Sequence, residues 1–169
     1  MTELVVLVDE NNQEVGTAPK NTVHTTNTPL HRGFSAFIFN FKKQLLVTQR
    51  ALTKKTFPGV WTNTVCGHPG QGENVINAAK RRLKDELGLD VINIKEAAPY
   101  RYRFSDKNGI LENEICPVLI GYTDQNPVSN PNEVAHWKWV DWLEFRREIE
   151  KNPDNYSPWC VEEVKLISP

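Results

Sequence analysis

The stretch from residue 66 to residue 88 leaves this chain few choices. It opens CGHPGQGE, with three glycines in eight residues, and runs into a segment whose apolar side chains fall on one stripe. Val75, Ala79, Leu83 and Leu87 recur at i, i+4, the spacing of one helix face. Asn74 is placed to cap the N-terminus and Gly88 to end the helix, so the spacing predicts a helix over 74–88. A helix with one apolar stripe has to lay it on a second layer. The glycines let the backbone turn sharply into it, and loop amides together with a helix N-terminus make an anion site.

Strands supply the second layer. Leu4–Val8 is an apolar, β-branched run closed by Asp-Glu-Asn-Asn. Residues 34–40 and 44–50 read as strands about a turn at 41–43, and 62–66 as a short strand. Residues 100–105 and 110–122 read as strands joined by Asp-Lys-Asn-Gly, and 134–140 as another. Residues 18–33, with two prolines, four threonines and two histidines, read as a loop holding at most a short helix. Residues 51–61 read as a loop ending Phe-Pro-Gly-Val-Trp. Helices near 141–150 and 158–167 close the chain. The mixture gives an α/β or α+β class, and the hairpins require a sheet that is not wholly parallel. There is no internal repeat, and 169 residues suit one domain over 1–169.

The net charge is -1, with only short basic clusters at Lys54-Lys55 and Lys80-Arg81-Arg82. That excludes the basic stripe of a nucleic-acid binder. Three cysteines, Cys66, Cys116 and Cys160, are too few and odd in number for a disulfide framework. The apolar run at the N-terminus is five residues long and flanked by acids, too short for a signal peptide or a membrane span. The expectation is a cytoplasmic protein with neither nucleic acid nor membrane as partner.

Several polar residues suggest chemistry. Arg82 and Glu86 share a helix face just beyond the glycine loop, where Arg82 can fork onto a phosphate and Glu86 can hold Mg²⁺ beside it. Elsewhere such a pair is an ordinary surface ion pair. Glu112 and Glu114 lie two apart on one strand face, where like charges repel unless something neutralises them. With His24, His31 and His68 they form a mixed nitrogen and oxygen set, suited to Mn²⁺, Zn²⁺ or Fe²⁺ more than to Mg²⁺. A structural role for these histidines stays open as the alternative. With no C-x-x-C pair, a zinc ribbon is disfavoured.

Residues 67–89 resemble the Nudix box, with Gly67, Glu73, Arg81, Leu83, Glu86, Gly88 and Leu89 in register. Arg82 stands where that pattern has a glutamate, and Asp85 replaces another. In typical members those carboxylates bind the metals that drive diphosphate hydrolysis. An arginine there argues against hydrolysis and leaves diphosphate binding in place. "WTNTVCGHP", "YRYRF", "ENEICPV" and "SPW" together are similar to the type I isopentenyl-diphosphate isomerases, an offshoot of the Nudix superfamily, from about residue 4 to residue 165.

The resemblance implies a Nudix-type α/β/α sandwich with a mixed sheet. It implies conversion of isopentenyl diphosphate to dimethylallyl diphosphate by a proton shift through a tertiary carbocation, with Nudix-type diphosphate hydrolysis as the alternative. Cys66 and Glu114 become the proton-transfer pair, Tyr102 assists Glu114, and Trp159 stabilises the cation by cation–π attraction. Trp61 is expected to line the same pocket. His24, His31, His68, Glu112 and Glu114 carry over as ligands of one divalent metal, Mn²⁺, Zn²⁺ or Mg²⁺. Glu86 carries over as ligand of a Mg²⁺ shared with the diphosphate. Lys20, Arg50, Lys54 and Arg82 are the basic residues at that diphosphate. The only partner expected is this small-molecule substrate, and the chain is expected to act as a monomer, with a homodimer as the alternative.

Overall fold

The structure, a computed structural model, describes residues 3–169. The helix read from the stripe forms as α2 (Val75–Leu87). The Asn74 side chain accepts from the Ile76 amide at 2.9 Å. Gly88 ends the helix in the left-handed region at φ 65°, donating back to the Leu83 and Lys84 carbonyls, a conformation that glycine adopts without steric cost. Ala79, Leu83 and Leu87 are fully buried.

They pack on a seven-stranded mixed sheet. Its main path runs β12 (Val134–Asp141), β5 (Gln44–Arg50), β4 (Phe34–Phe39), β11 (Val118–Tyr122) and β8 (Ile92–Ala98); short β6 (Trp61–Thr62) pairs with β5 and β7 (Val65–Gly67) with β4. Along β4 the side chains alternate. Phe34, Ala36 and Ile38 join the core under α2, whereas Phe37 and Phe39 join the core under α3 (Trp142–Lys151) and α4 (Pro158–Glu163). Both faces of the sheet are therefore covered, which is why β4 reads as an unbroken apolar run. The layering is the expected α/β/α sandwich. Among the described residues no helix is long and apolar enough to cross a membrane.

A second sheet departs from the sequence reading. Its five strands run β2 (Glu14–Pro19), β1 (Leu4–Val8), β3 (His31–Arg32), β10 (Leu111–Ile115) and β9 (Arg101–Ser105). The run 110–122, expected as one strand, is two strands in two sheets, broken at Cys116-Pro117. Proline has no N–H for a ladder. The neighbouring run breaks at Gly33 and crosses in parallel beside it, β3 with β10 and β4 with β11. The Gly33 N–H donates to Ile115 O at 2.9 Å and the Ser35 N–H to Pro117 O at 3.1 Å, so the pairing survives the crossing.

Other differences are local. The strand expected at 62–66 splits around Asn63 and Thr64, whose side chains bond to neighbouring backbone: Asn63 Nδ2 donates to Ala36 O and Val65 O at 3.1 Å, and Thr64 Oγ1 to Leu46 O at 2.6 Å. The loop 18–33 holds short α1 (Lys20–Val23) as well as β3. Edge strands β2 and β8 escape the sequence reading because most of their side chains are exposed and carry no two-residue pattern. The last helix stops at Glu163, short of residue 167.

Leu83 is the middle of the α2 stripe. Leu83→Ala is expected to destabilise the fold by about 2–5 kcal/mol, through lost burial and the cavity left behind, measured by urea denaturation.

Candidate active site

The crossing at Gly33 and Pro117 sets up a site between the two sheets. A cavity of about 830 Å³ opens there, lined by Cys66, His68, Tyr102, Glu112, Glu114 and Trp159 among others. Cys66 comes from β7 of the larger sheet, and Tyr102, Glu112 and Glu114 from β9 and β10 of the smaller one.

One wall is a nest of imidazoles. His24 follows α1, His31 lies on β3, and His68 follows β7. One ligand atom from each, with one from Glu114, lies within 4.8 Å of all the others, and all four residues are buried. The register of β3 with β10 sets His31 directly beside Glu114. Glu114 itself fits because residue 33 is a glycine: a Cβ there would fall 1.8 Å from Glu114 Oε2.

The donor set suits a divalent cation. The Pro29 carbonyl can only accept, so at 2.9 Å it takes the Nδ1–H of His31 and turns a neutral Nε2 lone pair inward, the arrangement of a metal-binding histidine. That lone pair faces Glu114 Oε1 at 3.4 Å. Two acceptors face each other there, and only a proton or a cation between them relieves the repulsion. His24 Nε2, His31 Nε2 and His68 Nδ1 are buried without a hydrogen-bond partner. His68 Nε2 lies 3.0 Å from Glu114 Oε1. Glu112 stands beside the four, its Oε2 3.2 Å from His24 Nε2. It joins the cluster through His24.

Titration follows from this packing. Burial works to raise the Glu114 carboxyl, but His68 and His31 outweigh it and hold it well below the usual carboxylate range. Burial likewise opposes the ionised form of Glu112, and His24 overcomes it. Burial pulls His68 down despite Glu114. In His31 the pull of Glu114 wins over burial and the ring is raised.

The same cavity also carries basic side chains. Lys20, Arg50, Lys54 and Arg82 all line it, with Lys55 beside them. Lys20 pairs with Glu3 at 2.9 Å. Burial and the neighbouring Arg82 nevertheless pull its ammonium below the usual range, a crowding that an anionic ligand relieves. Arg82 pairs with Glu86 at 2.5 Å and with Glu133 at 3.2 Å, and Lys54 also pairs with Glu133. Glu86 lies off the main cavity, in a recess of about 20 Å³ that it shares with Arg50, Lys54 and Glu133. Burial and the Glu133 charge raise its carboxyl, against Arg82 and Lys54. The glycine loop is braced by Arg81, which grips Glu73 in a fork at 2.8 and 2.9 Å, while Glu73 also accepts from the Gly70 amide.

The lining also includes the thiol and an aromatic wall, with the Arg50 guanidinium 5.7 Å from the centre of the Trp159 ring. Burial, then Glu163, pushes the Cys66 thiol up to about 12, against hydrogen bonds with Ser35 and Asn63, so the sulfur keeps its proton at neutral pH. Its Sγ donates to Asn63 Oδ1 at 3.3 Å, and the same oxygen takes the Trp159 Nε1–H at 3.2 Å and the Thr62 hydroxyl at 2.7 Å. Trp159 stacks on Tyr102 with ring centres 5.7 Å apart and meets Phe57 edge-on at 5.0 Å. Burial, then Glu114, raises the Tyr102 phenol well above its ordinary range, so it remains a donor.

One expectation needs correction. The Trp61 ring does not line this cavity; it lies under Lys138, whose Nζ is 4.7 Å from the ring centre. Successive strand residues face opposite ways, and in β6 it is Thr62 that turns inward. The Trp61 contribution is its backbone: its carbonyl accepts from the Ser157 N–H at 2.8 Å and so ties down the start of α4, which carries Trp159. Sequence reasoning missed Asn63, Ser35, Phe57 and Glu133. Asn63 sits inside the "WTNTVCGHP" motif and was within reach; Glu133 has no signal of spacing.

Because Gly33 leaves the space that Glu114 fills, Gly33→Ala is expected to weaken divalent-metal binding by about 10–100-fold, with the circular dichroism spectrum unchanged. Metal titration followed by calorimetry checks it.

Comparison with known proteins places this geometry. The Nudix domain pattern matches residues 29–160. An isopentenyl-diphosphate Delta-isomerase from Saccharopolyspora erythraea is 48% identical over 163 residues, covering 96% of this chain and 84% of that one. One from Kocuria rhizophila is 44% identical, covering 96% and 91%. Among solved structures, DR0079 from Deinococcus radiodurans superimposes with a TM-score of 0.76 at 21% identity, covering 96% of this chain and 98% of that one. The MutT protein from Methanosarcina mazei Go1 gives 0.67 at 17% identity, covering 81% and 91%. These two are similar in fold. With the matched domain and these identities along nearly its full length, the chain belongs to the Nudix family and, within it, to the isopentenyl-diphosphate Delta-isomerases.

Proposed function

We propose that this chain interconverts isopentenyl diphosphate and dimethylallyl diphosphate, the five-carbon precursors of isoprenoids, by adding a proton at one end of the allylic system and removing one at the other. The observation that carries this reading is a single cavity whose lining brings together a thiol, a carboxylate, an aromatic wall and a cluster of cations.

Lys20, Arg50, Lys54 and Arg82 bind the diphosphate and leave the hydrocarbon part among Cys66, Glu114, Tyr102 and Trp159. Cys66 holds one proton and Glu114 has room for one, so the pair carries the donor and the acceptor that a 1,3-shift needs in either direction. The tertiary cation between the two steps lies against the Trp159 face. There cation–π attraction is worth about 2 kcal/mol or more once water is gone. Tyr102, stacked on Trp159 and opposite Glu114 in the pairing of β9 with β10, keeps its phenol proton. The buried position of Trp159, only 2% exposed, supports a site that excludes the water that would trap the cation.

His24, His31, His68 and Glu114, with Glu112 beside them, would hold one divalent ion, Mn²⁺, Zn²⁺ or Mg²⁺. Bound there, it neutralises the carboxylates and fixes the aim of Glu114. Glu86, with Glu133 as its neighbour, would share a Mg²⁺ with the diphosphate. Support for this comes from the Glu86 carboxyl, buried beside the half-buried Glu133.

The test is incubation with isopentenyl diphosphate and divalent metal. An acid-labile allylic diphosphate should form without phosphate release. Cys66→Ala and Glu114→Gln should each lower kcat by about 100-fold or more, the contribution of a positioned acid or base, with the fold intact by circular dichroism. Phosphate release without allylic product would overturn the reading in favour of diphosphate hydrolysis.

A further inference from the structure

Asn63 lies in the break between β6 and β7 and is 0% exposed. It does not line the cavity, and neither the metal set nor the diphosphate site uses it. Its amide is nevertheless bonded at both ends. Nδ2 donates to Ala36 O on β4 and to Val65 O on β7, each at 3.1 Å. Carbonyls can only accept, so these two bonds settle which end of the amide is nitrogen. The oxygen is thereby turned the other way, toward Cys66 Sγ at 3.3 Å and Trp159 Nε1 at 3.2 Å. An indole N–H can only donate, and Oδ1 is its acceptor.

Two hydroxyls complete the arrangement. Thr62 Oγ1 donates to Asn63 Oδ1 at 2.7 Å and lies 2.7 Å from Ser157 Oγ. A hydroxyl has one proton, so Thr62, whose proton goes to Asn63, accepts from Ser157. Ser157 in turn caps α4, its Oγ accepting from the Cys160 N–H at 3.4 Å. The Asn63 oxygen therefore joins a side chain of β7, Cys66, to a side chain of α4, Trp159, and a line of hydroxyls ties it to the start of that helix. Cys66 and Trp159 are also the two groups that the proposed function sets against the hydrocarbon.

We infer that Asn63 is a positioning residue, whose carbonyl oxygen holds the Cys66 sulfur and the Trp159 ring in one fixed relation. It touches no substrate atom. Without that oxygen the thiol and the indole edge lose their common partner and turn separately. The effect falls on the proton-transfer step and not on diphosphate binding. A misplacement of about 1 Å in a reacting group can slow such a step by about 100-fold.

The inference rests on the isomerase reading, and wild-type turnover keeps the two apart. Absence of allylic product from wild type refutes that reading and this inference with it, whereas a variant that matches an active wild type refutes this inference alone. Asn63→Ser removes both ends of the amide. It is expected to lower kcat by about tenfold or more while KM stays within about twofold. In a nitrogen–proton correlation spectrum the Trp159 indole peak, identified by its loss in Trp159→Phe, should move in Asn63→Ser. The peak of Trp139, whose Nε1 donates to Asn126, should stay in place. Trp159→benzothienylalanine keeps the fused ring and removes only the N–H. It should lower kcat at constant KM, and adding Asn63→Ser should then cost less than it does in wild type, because the two changes break one bond. Unchanged kcat in Asn63→Ser overturns the inference, as does a loss carried by KM alone, an unmoved Trp159 peak or a fully additive double variant. Should Asn63→Ser fail to fold, Trp159→benzothienylalanine carries the test: a kcat loss at constant KM supports the inference, and unchanged kcat overturns it.

Discussion

The site depends on one contact: the Glu114 carboxylate resting where Gly33 has no side chain. Two chain segments pass together from one sheet to the other at this point, and the register of β3 with β10 sets Glu114 beside His31. His68 reaches the same oxygen from the other sheet, at 3.0 Å. A buried carboxylate is tolerated only when paired. Here the pairing comes from two imidazoles, His31 and His68, and that of His31 is fixed by the Pro29 carbonyl on its other nitrogen. The same arrangement turns lone pairs toward a common centre. Fold and chemistry meet at that crossing, since removing the space over Gly33 would disturb the ligand set before it disturbed the core.

Much of this was legible in the residues. The α2 stripe, its Asn74 cap and its Gly88 stop follow from local rules, and the helix forms within a residue of its expected ends. The histidines and carboxylates were legible as a candidate set from the residue types themselves, and the resemblance assigned them to one ion. Composition alone left a structural role equally open. What the sequence did not yield is long-range. That 110–122 serves two sheets depends on where Pro117 finds itself relative to Gly33, and nothing in the two-residue alternation marks the change. Trp61 misled because an aromatic beside a motif resembles a pocket wall, whereas the alternation of β6 turns Thr62 inward instead. Asn63 escaped notice because its work is to accept three donors with one oxygen, and the one that matters for the aromatic wall, Trp159, is far away in sequence.

That oxygen orders the chemistry. A thiol, an indole and a hydroxyl all point at Asn63 Oδ1, so Cys66 and Trp159, the proposed proton donor and cation-stabilising ring, share one anchor. The indole ring is further fixed by Tyr102 on its face and Phe57 at its edge. Interior packing of this density leaves few alternative rotamers. A carbocation enclosed by such a wall meets π-electrons and a sulfur rather than mobile water, which is the condition for returning a proton instead of gaining a hydroxyl.

Arg82 explains how a Nudix box serves such chemistry. Hydrolysis of a diphosphate needs negative charge neutralised and a nucleophile generated, and a metal held by carboxylates does both, because its bound water ionises near neutral pH. Arginine does only the first. Its guanidinium is always charged and forks onto phosphate oxygens, but it coordinates no water. In this chain that cation is held in place by Glu86 and Glu133, which also engages Lys54. A phosphate oxygen bound there would meet a fixed cation where the Nudix pattern has a metal-binding glutamate. With Arg82 in that place the helix offers one carboxylate fewer for a metal that would drive attack at phosphorus, and under the proposed function the reactive end lies at the crossing of the two sheets, beside Cys66 and Glu114.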